Sequence, residues 1–216
     1  MSYLTAIGKM LIADDKLLIK PPIPPIVDYD GNVYTEIVIG TQTWLKENLR
    51  TTHYNNGDAI PKPTQPQWQA DWNGLHMCFR NFNDANKNIW GGYYNYYVWQ
   101  NRQDMAPAGY KIPAIADFNT LAAYITKVQQ LMNTSLTYWT QGLPSPGIGT
   151  DDWGFDGRGA GDIEWNGSLI NDRTFMFFGY THVIDSLSGT YYNSGIQFKT
   201  IDVQNYMGVS LRCIKI

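Results

Sequence analysis

The sequence predicts an α+β fold, because three features follow one another along the chain. A helical pattern begins at residue 115 and runs to about residue 130, a Gly- and Asp-rich loop covers 141–168, and three strand-like segments follow at 174–180, 194–198 and 209–214. Helices and strands that are grouped rather than alternating are typical of α+β domains. The last strand is expected to pair with the first one and to tie the two ends of the domain together.

The first 20 residues form an arm with two apolar strips on either side of Asp14 and Asp15. Residues 10–13 and 16–19 mirror each other about this acidic pair, which predicts a small hairpin. An amphipathic helix is the alternative, because apolar residues of the arm also recur near one helical face. So short a segment cannot bury its own strips, so we expect it to dock on a partner surface or on sister chains. The predicted docking residues are Leu4, Ile7, Leu11, Ile12, Leu17, Leu18 and Ile19.

Residues 21–26 form a proline spacer between the arm and the domain. Pro21, Pro22, Pro24 and Pro25 enforce extended polyproline II geometry, with a rise of about 3 Å per residue. The domain itself is predicted to occupy residues 27–216.

The domain is expected to begin with a tight turn at 28–34 and a strand at 36–40. A short helix or irregular turn is expected at 43–49, and a loop at 55–75. The aromatic-rich segment 90–99 indicates a core element whose period fits a helix and a strand equally well.

The predicted helix after residue 115 is the strongest of the helical patterns. Pro113 precedes it, and Phe118, Leu121 and Ile125 recur at helical spacing. In the last segment, 209–214, apolar residues alternate as they do in a half-buried strand.

The composition excludes several classes of function. Charged residues make up 16% of the chain, against roughly 25% in an average soluble domain, and the formal net charge is −3. The scattered Lys and Arg give no basic patch for nucleic acid. Polar but uncharged surfaces suit contact with sugars or proteins, and 15 Tyr and 8 Trp exceed what a core needs.

Four stretches of the chain form a distinctive pattern, namely DGNVYTEIVIGTQTWLKENL at 30–49, APAGYKIP at 106–113, DWGF at 152–155 and VSLRCIK at 209–215. Together, over about residues 28–216, they resemble the Fibrobacter succinogenes major paralogous domain. The resemblance implies a C-type-lectin-like fold, with an antiparallel sheet, one or two helices and a long loop-rich region. It implies no activity, because one fold carries many functions.

The cysteines depart from the pattern of the family. The family has a Cys at the position of Ala106, so the usual partner of Cys213 is missing. Cys78 could replace it, but we expect two free, buried thiols and assembly in a reducing cytoplasm.

The N-terminus also departs from the family, whose bacterial members resemble exported lipoproteins. The sequence shows neither the basic start and apolar stretch of a signal peptide nor a lipid-attachment cysteine. No run of about 18 apolar residues predicts a membrane span. The arm and spacer stand where relatives carry a signal peptide, which suggests a protein made in the host cytoplasm and displayed on the surface of a virion.

No constellation of residues predicts an enzyme, a cofactor or a metal site. The histidines His53, His76 and His182 form no metal-binding motif, and the cysteines do not match the motif of formylglycine-generating enzymes. Acidic residues crowd one loop and could form a glycosidase pair or a calcium site, although a solvated loop explains them more simply. These acidic residues are Asp151, Asp152, Asp156, Asp162 and Glu164. Asp28, Asp30 and Asn32 imitate the start of a calcium loop, but a hairpin turn is the simpler interpretation.

Aromatic stacking is the remaining binding mechanism, because large aromatic side chains lie in polar loops. Sugars and protein epitopes are recognised by such rings with polar groups beside them. The alternative for each Trp is packing inside the loop-rich half of the domain. The predicted binding residues are Trp68, Trp72, Trp153, Trp165, Tyr191, Tyr192 and Asn193.

The sequence therefore suggests a bacteriophage structural protein, either a short head or tail fibre or a decoration protein. The arm would bind other virion proteins and sister chains, most simply as a homotrimer, and the head would contact a host-surface glycan or protein. The alternative is a bacterial cell-surface adhesin or glycan-binding module. A polysaccharide hydrolase is the third hypothesis.

Overall fold

The computed structural model describes residues 23–71, 73–99, 104–139, 149–173, 176, 178 and 206–216. It also describes the backbone of strand residues 11–13, 16–18, 179, 188–192 and 198–202.

The chain contains many short strands and four short helices within these residues. The strands are β1 (Leu11–Ala13), β2 (Lys16–Leu18), β3 (Ile26–Val27), β4 (Val33–Tyr34), β5 (Glu36–Ile39), β6 (Gln42–Leu45), β7 (Met77–Phe79), β8 (Gly92–Tyr94), β9 (Tyr110–Lys111), β10 (Asp162–Ile163), β11 (Leu169–Ile170), β12 (Phe178–Gly179), β13 (Ser188–Tyr192), β14 (Phe198–Asp202), β15 (Val209–Ser210) and β16 (Ile214–Lys215). The helices are α1 (Gln65–Ala70), α2 (Lys87–Trp90), α3 (Tyr96–Trp99) and α4 (Ile115–Ala122), with 3₁₀ turns at Arg80–Phe82, Asp84–Asn86 and Val128–Leu131.

Two sheets organise the domain. The first has the strand order β5-β6-β16-β9, and the second has the order β14-β13-β12-β15-β8-β7. All neighbouring strands in these sheets are antiparallel except β12 and β15. Antiparallel sheets with few, short helices confirm the α+β prediction.

The C-terminal strand ties the two ends of the domain together. Ile214 of β16 pairs with Trp44 of β6 on one side and with Lys111 of β9 on the other. The expected partner was the first strand, β5, but β5 lies at the edge of the sheet and pairs with β6.

The segment 209–214 is not the continuous strand that its alternating pattern predicts. β15 pairs with β8 in the six-stranded sheet, whereas β16 belongs to the four-stranded sheet. Leu211, Arg212 and Cys213 connect the two sheets and are all buried. The continuous-strand prediction was wrong because the chain changes sheets here.

The predicted long helix is shorter than expected. α4 begins at Ile115 as predicted, where the Asp117 carboxylate accepts a hydrogen bond from the amide of Ala114 at 2.8 Å. It ends at Ala122, because the side-chain oxygen of Gln130 accepts hydrogen bonds from the amides of Thr126 and Lys127 and so stabilises a turn there. A 3₁₀ turn at Val128–Leu131 follows.

Three further segments differ from their predictions. The segment 43–49 contributes to strand β6 rather than to a helix, and the loop 55–75 contains helix α1. The loop 141–168 contains β10, which pairs with β11. The predicted strand 174–180 contains β12 in its described part. Phe198, the last residue of the predicted strand 194–198, is the first residue of β14.

The core consists of three apolar clusters. The first packs residues such as Leu45, Tyr94 and Leu211, and the second includes Trp44, Phe118 and Phe178. The third is smaller and contains Trp68, Cys78, Trp90, Tyr93, Ala160 and Ile163. The aromatic segment 90–99 belongs to the core, as predicted. Its sequence pattern fitted a helix and a strand equally well because the segment contains one of each, strand β8 and helix α3.

The described part of the arm is an antiparallel strand pair. It agrees with the predicted hairpin and not with the alternative, an amphipathic helix. β1 and β2 pair with the register Leu11↔Leu18, Ile12↔Leu17 and Ala13↔Lys16. The other predicted docking residues, Leu4, Ile7 and Ile19, lie outside the described residues. Over the described part of the chain, no helix has both the length and the apolar character that crossing a bilayer requires.

Candidate functional site

The residues of the sequence motifs meet at a buried guanidinium. Arg212 is 1% exposed, and the side-chain oxygen of Asn48 accepts hydrogen bonds from its Nε at 3.0 Å and its Nη2 at 2.6 Å. Nη1 donates to the carbonyl of Phe155, whose ring centroid lies 4.3 Å from the guanidinium carbon. Asn48 in turn donates to the carbonyl of Trp90 at 3.0 Å. Three motifs distant in sequence are thus joined by one polar network inside the fold.

The surroundings of Arg212 leave no room for a ligand. Burial lowers the pKa of Arg212 to about 10, against the opposing effect of the Asp156 carboxylate, so the side chain stays charged at neutral pH. A cavity of about 20 Å³ lies beside Arg212 and is bounded also by Asn48 and Trp90. That volume admits about one water molecule. The contacts of Asn48, Phe155 and Arg212 therefore hold three parts of the domain together.

The DGN motif forms a hairpin turn, as predicted. The amide of Gly31, whose φ is +75°, donates to the carbonyl of Asp28 at 3.0 Å. The Asp28 carboxylate accepts hydrogen bonds from Asn32 and, at 2.6 Å, from the hydroxyl of Tyr34. These contacts engage Asp28 and Asn32 inside the turn itself.

Asp30 and His53 form a pair that the sequence analysis missed. His53 Nδ1 lies 2.6 Å from one oxygen of Asp30, and the other oxygen accepts hydrogen bonds from the amide and hydroxyl of Thr52. Burial alone would raise the pKa of Asp30, but the hydrogen bonds from Thr52 and His53 outweigh it and lower the pKa. The Thr52 hydroxyl and the Asp30 carboxylate both contact the same ring nitrogen, Nδ1 of His53. A proton relay would need one partner at each of the two ring nitrogens, so these three residues do not form one.

The predicted acidic loop does not converge on one point. Asp151 accepts from the amide of Asp156 at 2.9 Å, and Asp156 pairs with Arg158 at 2.7 Å. Asp152 accepts from the side-chain amide of Gln130 at 3.0 Å. In the ranges that the structure describes, no group of three or more His, Cys, Asp or Glu side chains is placed to hold a metal ion.

Asp162 is the most perturbed acid of this loop. It is fully buried, and one carboxylate oxygen accepts from Asn171 at 2.8 Å, while the other has no hydrogen-bond partner among the described residues. Burial raises the pKa of Asp162 to about 7, and the nearby charge of Glu164 adds to the shift. Asp162 lies at the base of the β10–β11 hairpin. Its desolvated carboxyl therefore destabilises the folded state at this hairpin.

The predicted binding residues occupy several different environments. Trp68 is fully buried against Phe82 and His76, so its assignment to a binding surface was wrong. Trp153 packs partly against the second core cluster. Trp165 is 46% exposed, near the tip of the β10–β11 hairpin.

The other predicted binding residues are less fully described. Tyr191 and Tyr192 lie in β13, of which the structure describes the backbone, and Trp72 and Asn193 lie outside the described residues.

A recess that the sequence analysis missed lies beside Phe82, on which the tip of the β10–β11 hairpin packs at Gly167. It has a volume of about 190 Å³ and is lined by Lys62, Pro63, Thr64, Cys78, Phe79, Phe82 and Asp84. Lys62 Nζ lies 2.5 Å from an oxygen of Asp84 at the rim and 5.5 Å from the ring centroid of Phe79. The lining residues come from the loop before α1, from β7 and from the turn after β7, so no local sequence signal marks the recess.

A larger groove of about 510 Å³ lies beside the proline spacer. Spacer residues such as Ile23 and Pro25 line it, and Tyr110 lies on the domain side. The hydroxyl of Tyr110 donates to Glu36, which also pairs with Lys215 at 2.6 Å. The Lys215 and Tyr110 contacts lower the pKa of Glu36. The groove therefore presents a largely apolar face with one ion pair.

Comparison with known proteins supports the family resemblance. The model of the Fibrobacter succinogenes major domain matches residues 37–215. No curated protein and no solved structure gives a significant match. The matched region includes Asn48, Phe155 and Arg212, whose side chains meet in the buried network. The chain therefore belongs to the Fibrobacter succinogenes major domain family.

Proposed function

We propose that this chain is a bacteriophage structural protein, a short fibre or decoration protein, that docks on the particle through its arm and displays the family domain at the virion surface. The observation that carries the proposal is the arrangement along the chain. A strand pair at residues 11–18 and a proline spacer precede the region that matches the family.

The arm is suited to docking because of its size and sequence. The facing positions Ile12↔Leu17 and Leu11↔Leu18 are all apolar. A two-stranded hairpin alone is marginally stable in water, so it gains stability from a partner surface. We propose that the partner is another virion protein together with the arms of sister chains, and that the assembly is a homotrimer.

The proposed fold of the head is C-type-lectin-like. The antiparallel sheets, the few short helices and the link between the last strand and β6 support it. Long connections also support it, because most of the segment between α4 and β12 is irregular in its described part. Such loops are the usual location of binding residues on a rigid scaffold.

The proposed role of the head is contact with a host-surface glycan or protein rather than catalysis. The motif residues support a structural framework, since Asn48 and Arg212 are buried in a network with no room for substrate. The acidic residues support it as well, because Asp151, Asp152 and Asp156 are engaged in separate contacts within the loop. Exposed aromatic surface, as at Trp165, remains for binding.

The test uses the full chain with a charge introduced into the arm. In the double variant Ile12→Asp/Leu17→Asp, two carboxylates face each other across the hairpin. We expect particles assembled with this variant to lack the protein, measured by immunoblotting of gradient-purified virions. The control is Val38→Asp, because Val38 is 64% exposed on the edge strand β5 and should tolerate the charge.

Normal incorporation of the double variant would contradict docking through the arm. Immunogold electron microscopy of particles and of host cells gives the second readout. Labelling of bacterial surfaces, with none on particles, would overturn the virion assignment and favour an adhesin.

A further inference from the structure

We propose that the recess lined by Lys62, Phe79, Phe82 and Asp84 binds a single neutral pyranose ring. The proposal rests on the proposed function, since it names the class of ligand that the head would contact. It commits to a site that shares no residue with the sequence-predicted binding set.

The dimensions of the recess fit one sugar ring. Its volume of about 190 Å³ is below the range of about 300–1,000 Å³ that is typical of pockets for drug-sized ligands. It is also about ten times the volume that one water molecule requires. A ring of six atoms with its hydroxyls is the size of ligand that fits between these limits.

The lining of the recess matches the two faces of a pyranose. The half-buried Phe82 supplies an apolar surface on which the C–H face of a sugar can pack, and the buried Phe79 supports the base of the recess. Lys62, Asp84 and the hydroxyl of Thr64 provide donors and acceptors together. Sugar hydroxyls both donate and accept hydrogen bonds, so the donors and acceptors at the rim of the recess can bind two hydroxyls on neighbouring carbons of the sugar.

The charges at the rim favour a neutral ligand. The lining contains one positive group, Lys62, and one negative group, Asp84, which form an ion pair. Their side chains are 38% and 66% exposed. An exposed pair of this kind contributes little to stability, so ligand hydroxyls can insert between its members at little cost. A charged ligand would meet one unfavourable partner.

The backbone around Phe82 provides a second, independent observation. Asn81 and Phe82 have φ values of 55° and 53°, in the left-handed region that a bulky side chain rarely adopts. The turn is held in this state by Asn86, whose side-chain amide donates to the carbonyl of Arg80 at 2.9 Å, and by Asn83, which accepts from the amide of Ala85. Residues held in such strained conformations cluster at ligand sites.

Phe82 also connects the recess to the exposed Trp165. A Cβ atom placed on Gly167 would lie 3.2 Å from the Phe82 ring and 2.6 Å from Gln65, so the tip of the hairpin packs closely on this wall. Trp165 precedes Gly167 by two residues and is 46% exposed.

The test is ligand-observed saturation-transfer NMR with the full chain and the methyl glycosides of glucose, galactose, mannose and N-acetylglucosamine. Glucuronate is included as the anionic comparison. We expect at least one neutral glycoside to bind with a dissociation constant on the order of 1 mM, as for small polar ligands of this size. Lys62→Met should weaken that binding by roughly tenfold, because a charged hydrogen-bond donor is lost.

Two further variants make the test specific. Phe82→Gly removes the aromatic wall and should abolish binding; it relieves the left-handed backbone but also removes packing against Trp68, so the native fold of this variant is verified by circular dichroism and thermal denaturation. Lys111→Met is the matched control, because Lys111 also forms an ion pair, with Asp117 at 2.9 Å, and its side chain is 39% exposed. Lys111→Met should leave binding unchanged.

Three outcomes would overturn the proposal. They are the absence of a signal from all four glycosides, a signal that persists in both Lys62→Met and Phe82→Gly, and stronger binding of glucuronate than of the neutral sugars. None of them affects the docking test, which depends on the arm, so failure of the sugar site and failure of the proposed function are distinguishable.

Discussion

Asn48 and Arg212, which are 164 residues apart in the sequence, form a two-bond contact in the interior of the domain. The single side-chain oxygen of Asn48 accepts from both Nε and Nη2, and the Phe155 carbonyl satisfies Nη1. A buried charge is tolerated only when its hydrogen bonds are made. This contact therefore fixes the first and last motifs of the chain with respect to each other.

We predict that Asn48→Ala destabilises the protein by about 2–4 kcal/mol, because it leaves the guanidinium of Arg212 buried with fewer acceptors. The free energy of unfolding from urea titrations at pH 7 measures this loss. Asn88→Ala is the control, since Asn88 is exposed and should change stability by less than about 0.5 kcal/mol. Equal stability of the two variants would show that the network contributes nothing.

We predict that Asp162→Asn stabilises the protein at pH 8 by about 1–3 kcal/mol. The pKa of Asp162 is raised from 3.8 to about 7 by burial. The unfolded chain therefore releases this proton at lower pH than the folded chain, and folding stability falls as the pH rises from about 4 to about 7. The neutral amide removes this penalty, and its unpaired N–H groups offset part of the gain.

The gain from Asp162→Asn should disappear at pH 3, where the carboxyl is protonated in both states. Denaturation curves at pH 3, 5, 7 and 8 give the profile. Asp152→Asn is the comparison, because hydrogen bonds from Gln130 and Thr150 lower the pKa of that exposed acid, so its replacement should not stabilise the protein at any pH. A gain for Asp162→Asn that did not vary with pH would rule out relief of a buried charge.

We predict that Gly91→Ala costs more stability than Gly109→Ala. Both glycines have positive φ, +76° and +81°, which disfavours alanine at both positions. Gly91 also has a ψ of −166°, a combination that is essentially restricted to glycine, so the backbone itself adds to the cost there. A Cβ at Gly91 would lie 2.6 Å from the Cβ of Asn48 and 3.0 Å from the carbonyl oxygen of Leu49, whereas nothing lies within 4 Å of a Cβ at Gly109. The clash adds about 1–3 kcal/mol, measured by thermal denaturation. Equal losses would mean that the backbone near Asn48 moves freely.

We predict that neither cysteine reacts with Ellman's reagent in the folded protein at pH 8. Cys78 and Cys213 are both free and fully buried, and burial raises the pKa of Cys213 to about 12. The thiolate is the reactive form, so both residues should be labelled in urea and neither under native conditions. Rapid labelling of one thiol in the folded state would contradict this packing.

The positions of the two cysteines explain why they do not form a disulfide with each other. Cys213 lies in the first core cluster together with Ala106, the residue at the position of the family's other cysteine. Cys78 belongs to the third cluster. The sequence analysis predicted two free, buried thiols, and the structure confirms both.

Features determined by neighbouring residues were predictable from the sequence. The turn at 28–34 depends on Gly31 and on Asp28, four residues from its partner Asn32. The start of α4 depends on Pro113 and Asp117. In each case the controlling contact lies within a few positions, so its signature is visible in a short window.

Features determined by distant contacts were not predictable. The loop setting of Trp68 suggested exposure, but a Cβ on Gly208 would lie 2.9 Å from its ring, and Phe82 packs against its edge. The pairing of Asp30 with His53 spans 23 residues, and the recess combines residues 62–64 with residues 78–84. Such arrangements depend on the three-dimensional packing of the domain.

The division of the domain into two sheets determines how it responds to force. The spacer leads into β3, which pairs with β4, and the chain then continues into β5 and β6, with β16 beside β6 in the four-stranded sheet. Phe79 of the recess belongs to β7, at the edge of the other sheet. A pull on the spacer is therefore resisted first by the pairing of β3 with β4, and then by the hydrogen bonds between β5, β6 and β16. β7 pairs with β8 in that other sheet, so the strands that separate first under tension leave the strand pairing of the recess intact.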